Sequence, residues 1–147
     1  VHKIRIATLS DIPSVALNLR EEDKREVMEG YGVNPVLSFA LQIVTSYTVI
    51  FYTPDGKTAG MAGVEKNGCV WMLCTKAIDK FPITFIRQAR NWLNTLPHKL
   101  LYNIADIRNI EHLKLLKHLG FKFLRVIPNG PNNLYFVEFA KLKGEYN

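Results

Sequence analysis

The sequence predicts an α+β domain, a mixed and mostly antiparallel sheet of six or seven strands flanked by about four helices. Three observations predict it. Between residues 47 and 74, three runs rich in β-branched and aromatic residues are separated by Pro54-Asp55-Gly56-Lys57 and Lys66-Asn67-Gly68. Both separators are turn signals too short to hold a helix, so the three strands are expected to be antiparallel neighbours. Two later stretches, 82–94 and 109–121, repeat apolar residues at helical spacing, and two final apolar runs flank the turn-rich residues 128–133. A chain of 147 residues is one domain by length and can bury a two- or three-layer core.

The elements follow in order. Residues 3–8 alternate polar and apolar side chains, which makes a strand with Ile4 and Ile6 on one face. Ser10, Asp11 and Pro13 are a helix-start signal, and the helix should bury Ile12, Val15, Ala16 and Leu19. Residues 20–26 are a dense run of mixed charge, expected as a solvated helix face or an exposed turn. Gly30 and Gly32 break the chain. Asn34 caps a second helix opened by Pro35, whose buried side is predicted to be Val36, Leu37, Ala40, Leu41 and Val44.

Strands at 47–53 and 58–65 form a hairpin, and Gly60 and Gly63 in the second mark a bulge or a close approach to the backbone. Residues 69–74 are almost continuously apolar, as in a central strand covered on both faces. The link 75–82 contains no glycine, and Pro82 begins a helix with Ile86, Ala89, Leu93 and Leu96 at helical spacing. A strand at 100–105 precedes a helix capped by Asn109 and closed by Gly120, where a positive φ is needed. Its apolar side is Ile110, Leu113, Leu116 and Leu119, widened by Leu115, with Glu111, His112, Lys114, Lys117 and His118 left to solvent. Strands at 122–127 and 134–140 close the fold, and 141–147 are a polar tail.

Composition narrows the function classes. With 48% hydrophobic and 22% charged residues the chain is globular, and no apolar run approaches the ~18 residues of a membrane span. No charged-then-apolar signal pattern opens the sequence. Cys69 and Cys74 are an odd number of residues apart on one strand and so face opposite ways; neither a local disulfide nor a shared metal is expected, which fits a reducing compartment. A formal charge of +6 suits anionic partners, but the basic residues are dispersed, so solubility is favoured over a dedicated nucleic-acid surface. There is no P-loop, Gly-x-Ser-x-Gly or Cys-x-x-Cys, and His112 and His118 do not share a helix face as metal ligands would. Trp71, Trp92 and the phenylalanines sit in apolar patterns and read as core.

Asn109, a short helix, then Leu119-Gly120-Phe121 and a strand resemble the fourth block of the GNAT acyltransferase superfamily. Arg5-x-Ala7-Thr8 followed by Ser10-Asp11-Ile12 is similar to the opening of many GNAT chains. The resemblance spans the whole chain and implies the GNAT fold, with a glycine-rich loop holding the pyrophosphate of acetyl-CoA and a splay between the middle strands for its pantetheine arm. It also implies a tyrosine four residues before the glycine, as acid toward the leaving thiolate. Here that position is Leu116, and the loop is the glycine-free 75–82. If cofactor binds, the resemblance assigns it to Lys76, Lys80, Ile83 and Asn109. If catalysis occurs, Glu65, Asp106 or His112 would serve as base and Tyr102 as acid. Each also has a plainer role: solvated for Glu65, capping for Asp106, surface for His112, core for Tyr102.

A narrower resemblance covers 60–139. Asn109-x-x-His112-x-x-x-Leu116-Lys117-x-x-Gly120 and the elements around it are similar to the GNAT-like internal virion proteins of short-tailed podophages. This implies a phage virion or internal-core assembly protein without standard acetyltransferase activity. No cofactor would then be expected, other virion proteins would be the partners, and the locations would be the host cytoplasm during assembly and the virion. The alternative is an active acetyl-CoA-dependent N-acetyltransferase with an atypical pyrophosphate seat. A nucleic-acid-binding module is a third, less favoured reading.

Overall fold

The computed structural model describes residues 3–144. Strand β1 (Ile4–Ile6) leads through a 3-10 turn into α1 (Ile12–Ala16), then α2 (Glu21–Arg25), which runs on as a π-helical turn over Glu26–Gly30. Helix α3 (Pro35–Thr45) is followed by β2 (Tyr47–Tyr52), β3 (Thr58–Val64) and β4 (Val70–Cys74). A 3-10 turn, Lys76–Lys80, precedes α4 (Pro82–Thr95). The chain ends with β5 (Leu100–Asp106), α5 (Ile110–His118), β6 (Lys122–Asn129) and β7 (Leu134–Leu142). This is the predicted mixed α+β architecture.

The strands form two antiparallel half-sheets, β1-β2-β3-β4 and β5-β7-β6. They touch where Cys69 and Tyr102 make a parallel bridge, with Tyr102 N–H donating to Gly68 O at 3.1 Å. Beyond it, among the described residues, β4 and β5 are not paired and belong to separate sheets, which leaves a V between them. One apolar core lies between the sheets and α4 and α5, where Phe51 meets Phe85 and Trp92 edge-on. A second lies under α1 to α3, around Val15, Phe39, Ile50 and Met61. The layers are therefore helix, sheet, helix.

Local chemistry accounts for the element ends. Asn34 Oδ1 accepts from Val36 N–H at 2.8 Å and caps α3; Gly120, at φ 91°, closes α5, with Phe121 N–H donating to Leu116 O at 3.0 Å. Gly63 lets the Trp71 indole approach, since a Cβ there would lie 2.5 Å from Nε1. The register skips Ala59 between β2 and β3, the bulge expected near Gly60.

Ile4 and Ile6 lie on one face of β1, as expected, and that face is exposed, while Arg5 between them pairs with Asp11 at 2.6 Å. The structure differs from the sequence expectations in four places. Helix α3 buries Pro35 and Phe39, while Val36, Leu37, Leu41 and Val44 are exposed. Apolar residues surround this helix, so periodicity could not choose the face, and the bulky Phe39 ring took the core side against Trp71. Residues 20–26 are not simply solvated, since Asp23 and Glu26 are buried. His112 is buried beneath them, while Ile110 is exposed. Strand β7 takes in Lys141 and Leu142 of the expected tail, whose last residues, 145–147, lie outside the described residues.

Candidate functional site

The candidate site is the V between β4 and β5. Each strand turns alternate backbone groups toward it. On β5, Tyr102 N–H goes to Gly68 O, Ile104 N–H to Asn103 Oδ1 at 2.7 Å, and Asp106 N–H to Glu26 Oε1 at 2.9 Å. On β4, Val70 O accepts from Asn103 Nδ2 at 2.8 Å, Cys74 N–H donates to Asp23 Oδ2 at 2.7 Å, and Cys74 O accepts from Arg20 N–H at 3.0 Å. The α2 segment thus lies along the opening and occupies donors on both strands. Helix α5 secures it, because Asn109 Nδ2 donates to Asp23 Oδ1 at 2.7 Å while Asn109 Oδ1 caps α5 at His112 N–H.

The link after β4 is equally closed. Leu19 pairs with Thr75, Lys76 N–H donates to Asn18 O at 3.0 Å, and Ala77 N–H donates to Thr75 Oγ1 at 3.2 Å. A pyrophosphate loop needs such N–H groups free and converging on one point. Here they are satisfied within the chain. These residues therefore do not fit a pantetheine-pyrophosphate arm in this conformation.

Burying acids side by side has an electrostatic consequence. Desolvation pushes the Glu26 carboxyl up to about 8, and the neighbouring Asp23 and Asp106 add to it. Asp106 is held by Arg108, with Nη2 at 2.7 Å from Oδ2, and Arg108 also reaches Glu29 at 2.9 Å. Burial holds His112 below its ordinary value against the pull of Asp23. The buried Cys74 thiol is pushed up by desolvation and by Asp23.

On the α3 side the V opens into a cavity of about 320 Å³ lined by Glu26, Tyr31, Glu65, Cys69, Trp71 and Asn103 among others. Among the described residues no Lys or Arg lines it, in a chain with 19 of them. Burial and Glu65 raise the Cys69 thiol to about 11. On the α5 side only about 20 Å³ remains, between residues such as Met72, Leu116 and Phe139. Of these two spaces, the one on the α3 side is much the larger.

The residues singled out in the sequence are scattered. Glu65 lines the cavity, and Asn109 lies in the V as a cap and as the partner of Asp23. Tyr102 sits at the apex of the V and does not line the cavity. Asp106 accepts from Arg108 N–H at 2.9 Å as well as holding its guanidinium, so both its oxygens are engaged. Lys76 and Lys80 line a separate depression with Lys57, Ser14 and Asn18, and Ile83 is exposed in the first turn of α4. Sequence reasoning missed Asp23 and Glu26. The legible signal was their register: Asp23, Glu26, Val27 and Gly30 fall at the spacing of one buried helical face, and all four are buried.

No family model and no curated protein matches the sequence. Solved structures do match the fold over nearly the whole chain. A GCN5-related N-acetyltransferase from Kribbella flavida has TM-score 0.65 at 16% identity, covering 95% of this chain and 96% of that one. A ribosomal-protein-alanine N-acetyltransferase from Brucella melitensis has TM-score 0.69 at 12% identity, covering 95% and 98%. YncA from Salmonella typhimurium, solved with its cofactor acetyl-CoA, has TM-score 0.65 at 13% identity, covering 98% and 95%. At these identities the likeness is one of fold, and the fold is that of the GNAT N-acetyltransferases.

Proposed function

We propose that this chain uses the GNAT fold to bind other proteins and does not carry out standard acetyl transfer. The observation that argues against standard acetyl transfer is the engagement of Cys74 N–H by Asp23 and of Asp106 N–H by Glu26 across the V; the protein-binding role is what that loss of chemistry leaves to the fold. Leu116 at the position of the usual acid, and the internally satisfied N–H groups after β4, agree with it. That the partners are components of a phage virion core rests on the Asn109-to-Gly120 spacing alone, and the solved relatives lend it no support.

Those relatives favour a second reading, an acetyl-CoA-dependent N-acetyltransferase. The three proteins above are acetyltransferases by name or were solved with acetyl-CoA. The cavity with Glu26 and Glu65 offers carboxylates beside the V in the manner of a base. On this reading α2 must move before cofactor enters. Calorimetric titration with acetyl-CoA and with CoA separates the two. The first reading expects no binding up to about 1 mM, and a dissociation constant in the micromolar range, near −8 kcal/mol, would establish the second.

A further inference from the structure

We propose that the cavity on the α3 side of the V receives a guanidinium group, carried by an arginine of a partner protein. Its mouth reaches the surface at Tyr31 (38% exposed) and Val33 (43%). Two carboxylates line it from separate segments, Glu26 from the π-helical turn and Glu65 from the turn after β3. Arg5, Arg108 and Arg125 each pair with a carboxylate elsewhere in the chain, but among the described residues neither Glu26 nor Glu65 has such a partner. His112 adds a third acceptor. It lines the cavity although only 6% exposed, and burial keeps its ring neutral. Its backbone N–H donates to Asn109 Oδ1, whereas among the described residues neither ring nitrogen has a partner. A polar group so deeply buried ordinarily has one, and the cavity is a side from which it can be reached.

Geometry selects guanidinium among the cations. A Cβ on Gly63 would lie 2.5, 2.7 and 2.8 Å from Trp71 Nε1, Cε2 and Cζ2, so the indole lies flat on β3 and turns its other face off the sheet. Gly63 is the ladder partner of Trp71, and Glu65 stands two residues further on, so the carboxylate and the indole share one face. A planar cation can stack on that ring with its edge toward Glu65. The three acceptors stand on three different segments. Guanidinium has five donors in a fixed fork with which to reach them, while an ammonium carries three on one atom. Other walls are Val27, Val70, Met72 and Ile104, and guanidinium, the more weakly hydrated of the two, sheds its water into such a space more readily. Beside Glu26 it would also offset the burial that raises this carboxyl to about 8. A guanidinium keeps its proton and is therefore a ligand here, not an acyl acceptor, so the proposal rests on the protein-binding reading.

Calorimetric titration of the full chain with the blocked peptide acetyl-Gly-Arg-Gly-amide, and with its lysine and citrulline counterparts, tests the proposal. The arginine peptide should bind at least about tenfold more tightly than the lysine peptide, and the uncharged citrulline peptide should not bind up to about 5 mM. Glu65→Gln should weaken the arginine peptide by about tenfold or more while leaving circular dichroism and melting unchanged, because Glu65 is half-exposed. Asp79→Asn, on an exposed side chain outside the cavity, should leave binding as it was. Free L-arginine, whose charged ends must enter the mouth as well, should bind more weakly than the blocked peptide. No binding of the arginine peptide, equal binding of lysine or citrulline, indifference to Glu65→Gln, or a preference for free L-arginine overturns the proposal. Acetyl-CoA enters none of these titrations, so their failure is distinct from that of the protein-binding reading, which the acetyl-CoA titration decides.

Discussion

Glu26 governs how the closed V responds to pH. Its carboxyl is raised from 4.5 to about 8 in the fold, chiefly by burial. Below about pH 4.5 it is protonated whether the chain is folded or not, and it contributes no pH dependence. Between that value and about 8 the unfolded chain has released a proton that the folded chain retains. Stability therefore falls as pH rises through this window, by up to about 1.4 kcal/mol per unit, and levels off above it. Glu26→Gln cannot ionise, and its amide oxygen can still accept from Asp106 N–H. Urea titrations should show the original chain losing stability relative to the variant as pH increases from 5 to 8, with the difference between the two constant below about pH 4.5. Parallel profiles would mean that Glu26 is solvated and does not seal the V. A sequence reading could not reach this residue by counting charges, because burial reverses what a glutamate in a charged run ordinarily implies.

At the scale of elements, α2 and α5 are joined through Asp23 and Asn109. Asp23 accepts from the Asn109 amide and from Cys74 N–H, both inside the protein. Asp23→Ala leaves two buried donors without partners, which should cost about 2–4 kcal/mol. Asn109→Ala removes the cap of α5 and the same bond, at about 1–3 kcal/mol. Because the bond is shared, the double variant should cost less than the sum by about 1 kcal/mol, measurable by chemical denaturation, and strict additivity would show that the two helices are not coupled. The legibility of the elements follows similar lines. Helix α5 and the β2-β3-β4 meander were readable because caps, Gly120 and short turns are local signals. Helix α3 was readable as a helix, but its direction was not, since Phe39 and Leu37 are both apolar and only the sheet beneath decides between them. The α2 segment was hidden because its buried face carries Asp23 and Glu26 where a pattern reader looks for leucine.

For the molecule as a whole, the two half-sheets share, among the described residues, one backbone bridge at Cys69 and Tyr102, together with the Tyr102 and Asn103 bonds beside it. Past that apex the carboxylates of the α2 segment hold the two halves together, acting where a further pair of strand hydrogen bonds would stand. This gives the V a measurable signature. If it is a closed joint, the amides of Cys74 and Asp106 exchange with solvent as slowly as those of the central strand β3, and acetyl-CoA changes nothing. If it is a groove awaiting a ligand, α2 must open often, and these two amides should exchange orders of magnitude faster than the ladder beside them, then slow when acetyl-CoA is added. Asp23→Ala supplies the internal comparison, since it should release the Cys74 amide while leaving Asp106 held by Glu26. Hydrogen exchange resolved at these positions thus reports on the joint directly and does not depend on knowing an acceptor substrate. The relation between the two rates then shows whether α2 moves as one piece: a chain in which both amides open together has a lid, and one in which neither opens short of global unfolding has a permanent seam.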